Sequence, residues 1–138
     1  MCYDKTNRSK NIFIFYQEAT VKEMKFKYIQ HRNVLDYALN KINNSPIKGY
    51  INGLYLYGSC ARQEENPHSD VDLFMELSED IVKLNNYKQE IILLRGMIMT
   101  DDVMDPEVDL KIVIGDEWKN NRMLYYQNVQ REGISIWH

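Results

Sequence analysis

The stretch "YGSCARQEENPHSDVDLF", residues 57–74, decides how the chain is read. It begins at the end of the apolar run "INGLYLYG" (51–58), which reads as a strand stopped by Gly58. It ends inside "DVDLFMEL" (70–77), a second strand with Val71, Leu73 and Met75 on one face. Strand side chains alternate with period two, so Asp70 and Asp72 share the other face. Two carboxylates side by side repel unless something cationic lies between them.

Outward from this pair the chain alternates helices and strands. From about Gln30 to Asn43 the residues Val34, Leu35, Ala38, Leu39 and Ile42 fall on one helical face, and "NNSP" (43–46) ends that helix. Ser78 with Glu79 and Asp80 reads as a helix start, and Ile81, Leu84, Ile91 and Leu94 continue that helix on one side. The loop "TDDVMDPE" leads into "VDLKIVI" (108–114), a third strand that buries Val108, Leu110 and Ile112 and turns Asp109 to the opposite face. A last helix runs from about Glu117 to Gly133, read as a left-handed C-cap, and "ISIW" closes the chain as a short strand. This order predicts an α/β (α+β) fold, a sheet with helices packed mainly on one face. The 138 residues make one domain over 30–138, with residues 1–29 as an N-terminal extension. Within the extension "MCYDKTNRSK" reads as a frayed end, and "IFIFY" (12–16) as a buried strand or helix turn too short to span a bilayer.

Composition narrows the partners. A net charge of −3 leaves no broad basic field, which argues against general nucleic-acid binding, so any anionic ligand must be held locally. Cys2 and Cys60 are the only cysteines and His31, His68 and His138 the only histidines, without the spacing of a zinc site or a disulfide framework. Free thiols without a signal peptide or a long apolar run point to the cytoplasm and away from a membrane.

Three acids converging on one point suit a hard cation. Asp70, Asp72 and Asp109 are therefore candidate ligands for Mg²⁺ or Mn²⁺, whose usual further ligand is a substrate phosphate. A two-ion site of this kind holds its metals ~3.5–4 Å apart. Gly58 lets the backbone approach a phosphate, and the following turn through Cys60, Ala61 and Arg62 aims N–H groups at it. The Ser59 hydroxyl adds a donor.

With those residues in place, "GSCARQEENPHSDVDL" resembles the signature of the DNA polymerase beta-type nucleotidyltransferase superfamily: Gly-Ser, a spacer, then Asp-x-Asp. The ten-residue spacer, the short chain and "REGISIW" are similar to its minimal nucleotidyltransferase (MNT) branch. Gly58, Ser59, Asp70 and Asp72 match the motif, and Asp109 in "EVDLKIV" matches the third acidic strand. Many relatives carry Gly where this chain has Gln63. The resemblance implies a nucleotidyltransferase-type mixed sheet and transfer of a nucleoside monophosphate, AMP from ATP, to an acceptor hydroxyl with release of pyrophosphate. It implies two Mg²⁺ ions held by Asp70 and Asp72, with Asp109 completing one site and helping to deprotonate the acceptor. It also implies an antitoxin whose partner is a HEPN-type toxin adenylylated on tyrosine. Self-association is left open.

Plainer readings stand beside these. The aspartates could line a polar strand edge, and Ser59 could be an N-cap; "YGSCA" lacks the second glycine of a hydrolase elbow. Cys60 reads as a packing residue. Arg62 could pair with Glu64 or Asp70 instead of phosphate, and Lys111 with Asp109. Trp118, Tyr125, Tyr126 and Trp137 read as core and interface aromatics. Two functional alternatives remain: a non-catalytic antitoxin that works by occlusion, and an enzyme acting on an aminoglycoside-like small molecule through an acidic pocket near Glu64, Glu65 and Asp101.

Overall fold

The computed structural model describes residue 16 and residues 18–137. The expectations for residues 1–10, for Cys2, for His138 and for most of "IFIFY" lie outside these; Tyr16 forms a β-bridge with Trp137. Helix α1 is Glu18–Glu23, and helix α2 is Ile29–Asn43. Helix α2 buries Val34, Leu35, Ala38, Leu39 and Ile42, together with His31. That apolar stripe packs on the sheet, which is why the helix forms where its periodicity says.

Strand β1 (Ile51–Tyr57) pairs antiparallel with β2 (Val71–Leu77), and β2 pairs in parallel with β3 (Val108–Ile114). The short β4 (Ile134–Ser135) pairs antiparallel with β1, giving the order β3-β2-β1-β4. The sheet is mixed and the fold α+β. On one face Leu54, Leu56, Val71, Leu73, Met75, Val108 and Leu110 form the main core with α2 and the helix α4 (Tyr87–Met97). The other face is aromatic: Tyr57, Phe74 and Trp118 pack with Val129 under the helix α5 (Leu124–Glu132). Phe74 is fully buried there, its ring centroid 4.6 Å from Trp118 and 5.9 Å from Tyr125. The indole N–H of Trp118 donates to the buried Glu76 carboxylate at 2.7 Å, so the polar end of the layer is satisfied.

Four residues ahead of α2 join the main core. Val21 is buried in it, and Tyr16, Met24 and Phe26 pack against it.

Three expectations are corrected. Residues 78–97 are not one helix: Ser78 does cap, accepting from the Asp80 N–H at 3.2 Å, but Glu79–Lys83 is a 3-10 turn. Leu84 is then extended (ψ 118°) and packs against the core, and Asn85–Asn86 interrupt before α4 begins at Tyr87. Asparagines compete with the helix for their own backbone groups, which favours a break there. Residues 117–133 split likewise into a 3-10 turn (Glu117–Asn120) and α5, where the Asn121 side chain accepts the Met123 N–H at 2.9 Å. Gly133 is not a left-handed cap, since its φ is −65°. It is glycine because a Cβ there would run into the Val129 carbonyl oxygen and meet Tyr55 Cβ at 3.4 Å.

The aromatic layer yields the first test. Phe74→Ala removes a ring closed in by Tyr55, Trp118, Tyr125 and Tyr126. The expected loss is about 3–5 kcal/mol of unfolding free energy, read from urea denaturation.

Candidate active site

The site is built around the corner between β1 and the four-residue helix α3 (Gly58–Ala61). Gly58 sits at φ +76°, and a Cβ on it would overlap the Asp72 carboxylate. Only a residue without a side chain lets that carboxylate lie against the corner. The helix then closes in a Schellman arrangement: the Gln63 N–H donates to the Cys60 carbonyl at 3.2 Å and the Glu64 N–H to the Ser59 carbonyl at 2.9 Å. Gln63 takes the left-handed conformation this requires, φ 59°. The glycine usual at this position is thus replaced by a side chain that tolerates the turn at a cost.

The spacer back to β2 is tied at several points. The Asn66 side chain accepts the His68 N–H at 2.8 Å, and Ser69 Oγ accepts the Asn66 N–H at 3.0 Å. His31 Nε2 donates to the Ser69 carbonyl at 2.8 Å, and the Cys60 thiol lies 3.6 Å from the Asp70 carbonyl as a weak donor. Glu65, 1% exposed, accepts the Lys27 N–H at 2.7 Å and so joins the spacer to the segment before α2. Burial, then Glu65 and the aspartates, push the Cys60 thiol up to about 12, which removes it as a nucleophile at neutral pH.

Asp72 stands on the central strand β2, level with Tyr57 of β1 and Asp109 of β3. Asp109 and Asp72 are thus lateral neighbours on the aromatic face. Asp70 lies just before β2 and is exposed. Desolvation first, then the charges of Asp109 and Asp70, raise the Asp72 carboxyl from 3.8 to about 6. Lys111 and Arg62 work in the opposite direction, and Lys111 Nζ is 3.5 Å from Asp109 Oδ2. Burial pushes Tyr57 well above the ordinary phenol range and Tyr125 up to about 12, so both stay protonated next to the acids.

Among the described residues no three acid, histidine or cysteine groups are already gathered tightly enough to hold a metal ion. The donor set nevertheless fits one: three hard carboxylates on or beside adjacent strands, one desolvated and raised by the others. A divalent cation is the group that would draw them together and relieve that repulsion.

Two groups expected on the phosphate side already have a partner. Glu132, the last residue of α5, accepts the Gly58 N–H at 2.7 Å and Arg62 Nη1 at 2.9 Å through the same oxygen. Arg62 also pairs with Glu64 at 2.8 Å, as one of the sequence readings allowed, and not with Asp70. Lys111 pairs with Asp109. His31, Glu65 and Glu132 were not singled out for any structural part in the site. His31 had a signal, because it falls on the same helical face as Leu35, Ala38 and Ile42; Glu65 and Glu132 had none.

A family profile described as Polymerase beta, Nucleotidyltransferase matches residues 40–137. Among solved structures, the crystal structure of a protein assigned as a nucleotidyltransferase from Sulfolobus solfataricus superposes with a TM-score of 0.51 at 15% sequence identity. The match covers 79% of this chain and 81% of that one, and at this identity it is a likeness of fold. No curated protein matches the sequence significantly.

Two tests follow from the geometry. Gln63→Gly relieves a left-handed side chain, and the expected gain is about 0.5–1 kcal/mol, read as a higher Tm. Asp72 titrates near 6 in the folded protein against 3.8 ordinarily, so folding favours its protonated form. Its contribution to stability is therefore largest at low pH and declines as pH rises through about 6. Without metal, Asp72→Asn should accordingly raise the Tm at pH 8 and lose that advantage below pH ~4. Adding Mg²⁺ at pH 8 should raise the Tm of the wild-type protein more than that of the variant.

Proposed function

The chain belongs to the Polymerase beta nucleotidyltransferase family, and from that membership we propose that it transfers a nucleoside monophosphate, AMP from ATP, to an acceptor hydroxyl on a partner protein. The observation that carries the reading is Asp72 held against Gly58, beside Asp109 and close enough to Asp70 to feel its charge. Asp70, Asp72 and Asp109 are the residues that would hold divalent ions, Mg²⁺ first, two in the manner of the family. Bound there, such ions supply charge neutralisation for the transferred phosphoryl group.

The chain's own residues do the rest. The Ser59 hydroxyl at the Gly58 corner donates to the triphosphate. Asp109 accepts the proton of the acceptor hydroxyl as the new oxygen–phosphorus bond forms at the α-phosphate. The bond to the β-phosphate breaks, and pyrophosphate leaves with its electron pair. Lys111 beside Asp109 balances part of the charge at that end. Buried Tyr57 and partly buried Tyr125 form a wall beside desolvated Asp72, which strengthens electrostatics at that end of the site.

A protein acceptor is the better reading than a small cationic one. Glu65, one of the acids that could have formed a cation pocket, is buried in the spacer. Val103 and Met104, 95% and 84% exposed, set apolar surface on the loop that leads into β3, and Met104 lines a cavity with Pro67 and His68 just ahead of Asp70. A macromolecular partner covers such surface more readily than a small alcohol does. A HEPN-type toxin modified on tyrosine, as in MNT antitoxin pairs, is the partner proposed.

The test is transfer of label from ATP labelled at the α-phosphate, with Mg²⁺, to a co-expressed HEPN-type toxin. The wild-type protein should label the toxin on tyrosine. Asp109→Asn should lower the rate ~10³-fold while the two proteins still co-purify. Unlabelled but neutralised toxin would instead favour occlusion without catalysis. Label on an aminoglycoside and none on protein would favour the small-molecule reading.

A further inference from the structure

Among the described residues, the carboxylate that accepts the Gly58 N–H comes from the far end of the chain. Glu132 Oε2 accepts both the Gly58 N–H at 2.7 Å and the Arg62 guanidinium at 2.9 Å, and its side chain is 16% exposed. The element that delivers it is fixed. Gly133 packs its Cα side against the Val129 carbonyl and Tyr55, Ile134 pairs with Leu56, and the Ile136 N–H donates to the Leu54 carbonyl at 2.9 Å. The carboxylate is therefore placed by the last residue of α5, two positions before β4 is fastened to the sheet.

We propose that Glu132 is a positioning residue for nucleotidyl transfer, holding Gly58 at its left-handed corner through the amide and restraining Arg62, so that Ser59 faces the nucleotide and Asp72 keeps its place against the glycine. The inference rests on the nucleotidyltransferase reading above. The physical reason is the demand of the corner itself. Glycine is the most permissive residue type to place beside a repelled carboxylate, and the φ of +76° at Gly58 is only one of several it could adopt. A charge-assisted hydrogen bond from a partly buried amide selects that one. Arg62 supplies the countercharge for Glu132, and Glu64 holds the guanidinium from its other side at 2.8 Å.

This assignment differs from the sequence expectation, in which the Gly58 backbone comes close to the phosphate and Arg62 is free to contact it or to form a salt bridge. A carboxylate on both donors excludes a phosphate oxygen from the same place. The triphosphate is then held by Ser59 and the metal-binding acids, while Glu132 and Arg62 act through the turn.

Glu132→Ala and Glu132→Gln test it in the full chain. Glutamine keeps an acceptor for the Gly58 amide but loses the charge; alanine loses both. Hydrogen exchange of the Gly58 amide, followed by NMR, should accelerate at least ~10-fold in Glu132→Ala and much less in Glu132→Gln. Binding of ATP with Mg²⁺ and the rate of label transfer should fall ~10-fold or more in the alanine variant, with most of the loss recovered by glutamine. An alanine variant that folds normally and binds ATP unchanged would overturn the proposal. One that binds ATP more tightly would also overturn it and make Glu132 a competitor of the phosphate. Failure of the underlying functional reading shows elsewhere, in a wild-type protein that neither binds ATP nor transfers label, and that result removes the positioning role as well.

Discussion

A carboxylate lying against a glycine at the end of a central strand sets the terms for the rest of this molecule. Asp72 is desolvated by the sheet around it and faces the charges of Asp109 and Asp70, so its ionised form is unfavourable in the folded protein. Such a group survives only where the scaffold is stable enough to carry the cost. Here the scaffold is β2 itself, bonded on both sides, with Val71, Leu73, Met75 and Leu77 buried below and Phe74 buried above. The two core faces of one strand hold the acid where a cation would be welcome.

The supporting contacts share one logic: each ties backbone next to a functional residue to a distant element. His31 holds the Ser69 carbonyl from α2, the Cys60 thiol reaches the Asp70 carbonyl, Glu65 anchors the spacer to Lys27, and Glu132 holds Gly58 from α5. Each of these side chains has a backbone group of the protein as its partner. They convert a ten-residue spacer, which on its own would sample many shapes, into a fixed connection between the glycine corner and the acidic strand.

How much of this was legible in the sequence follows from the range of each signal. Period-two alternation placed Asp72 and Asp109 on one sheet face, and the helical stripe from Val34 to Ile42 placed the main core, because both depend on neighbours in sequence. Gly58 announced its corner for the same local reason. The breaks at Asn85–Asn86 and at Asn121 were written in the residues but hidden by apolar positions that continue in helical phase across them. Gly133 read as a left-handed cap, whereas its φ is −65° and a Cβ there would run into the Val129 carbonyl oxygen, a clash set by how the helix end turns into β4 and not by any residue pattern. Glu132 and Glu65 were illegible on the same ground: an acid at a helix end or in a polar loop looks solvated until its partner amide arrives from elsewhere.

The aromatic layer links stability to chemistry. Tyr57, Phe74 and Trp118 fill the face on which Asp72 and Asp109 stand, and the layer stops where the carboxylates begin. A low-dielectric wall beside like charges makes their repulsion larger than water would allow. The same wall would make their attraction for a cation larger. Burying rings next to acids is thus costly for the free protein and favourable for the loaded one. On the proposed reading, that difference would tie metal binding to stability: the rings that pack beside Asp72 are also what would leave it most in need of a divalent ion.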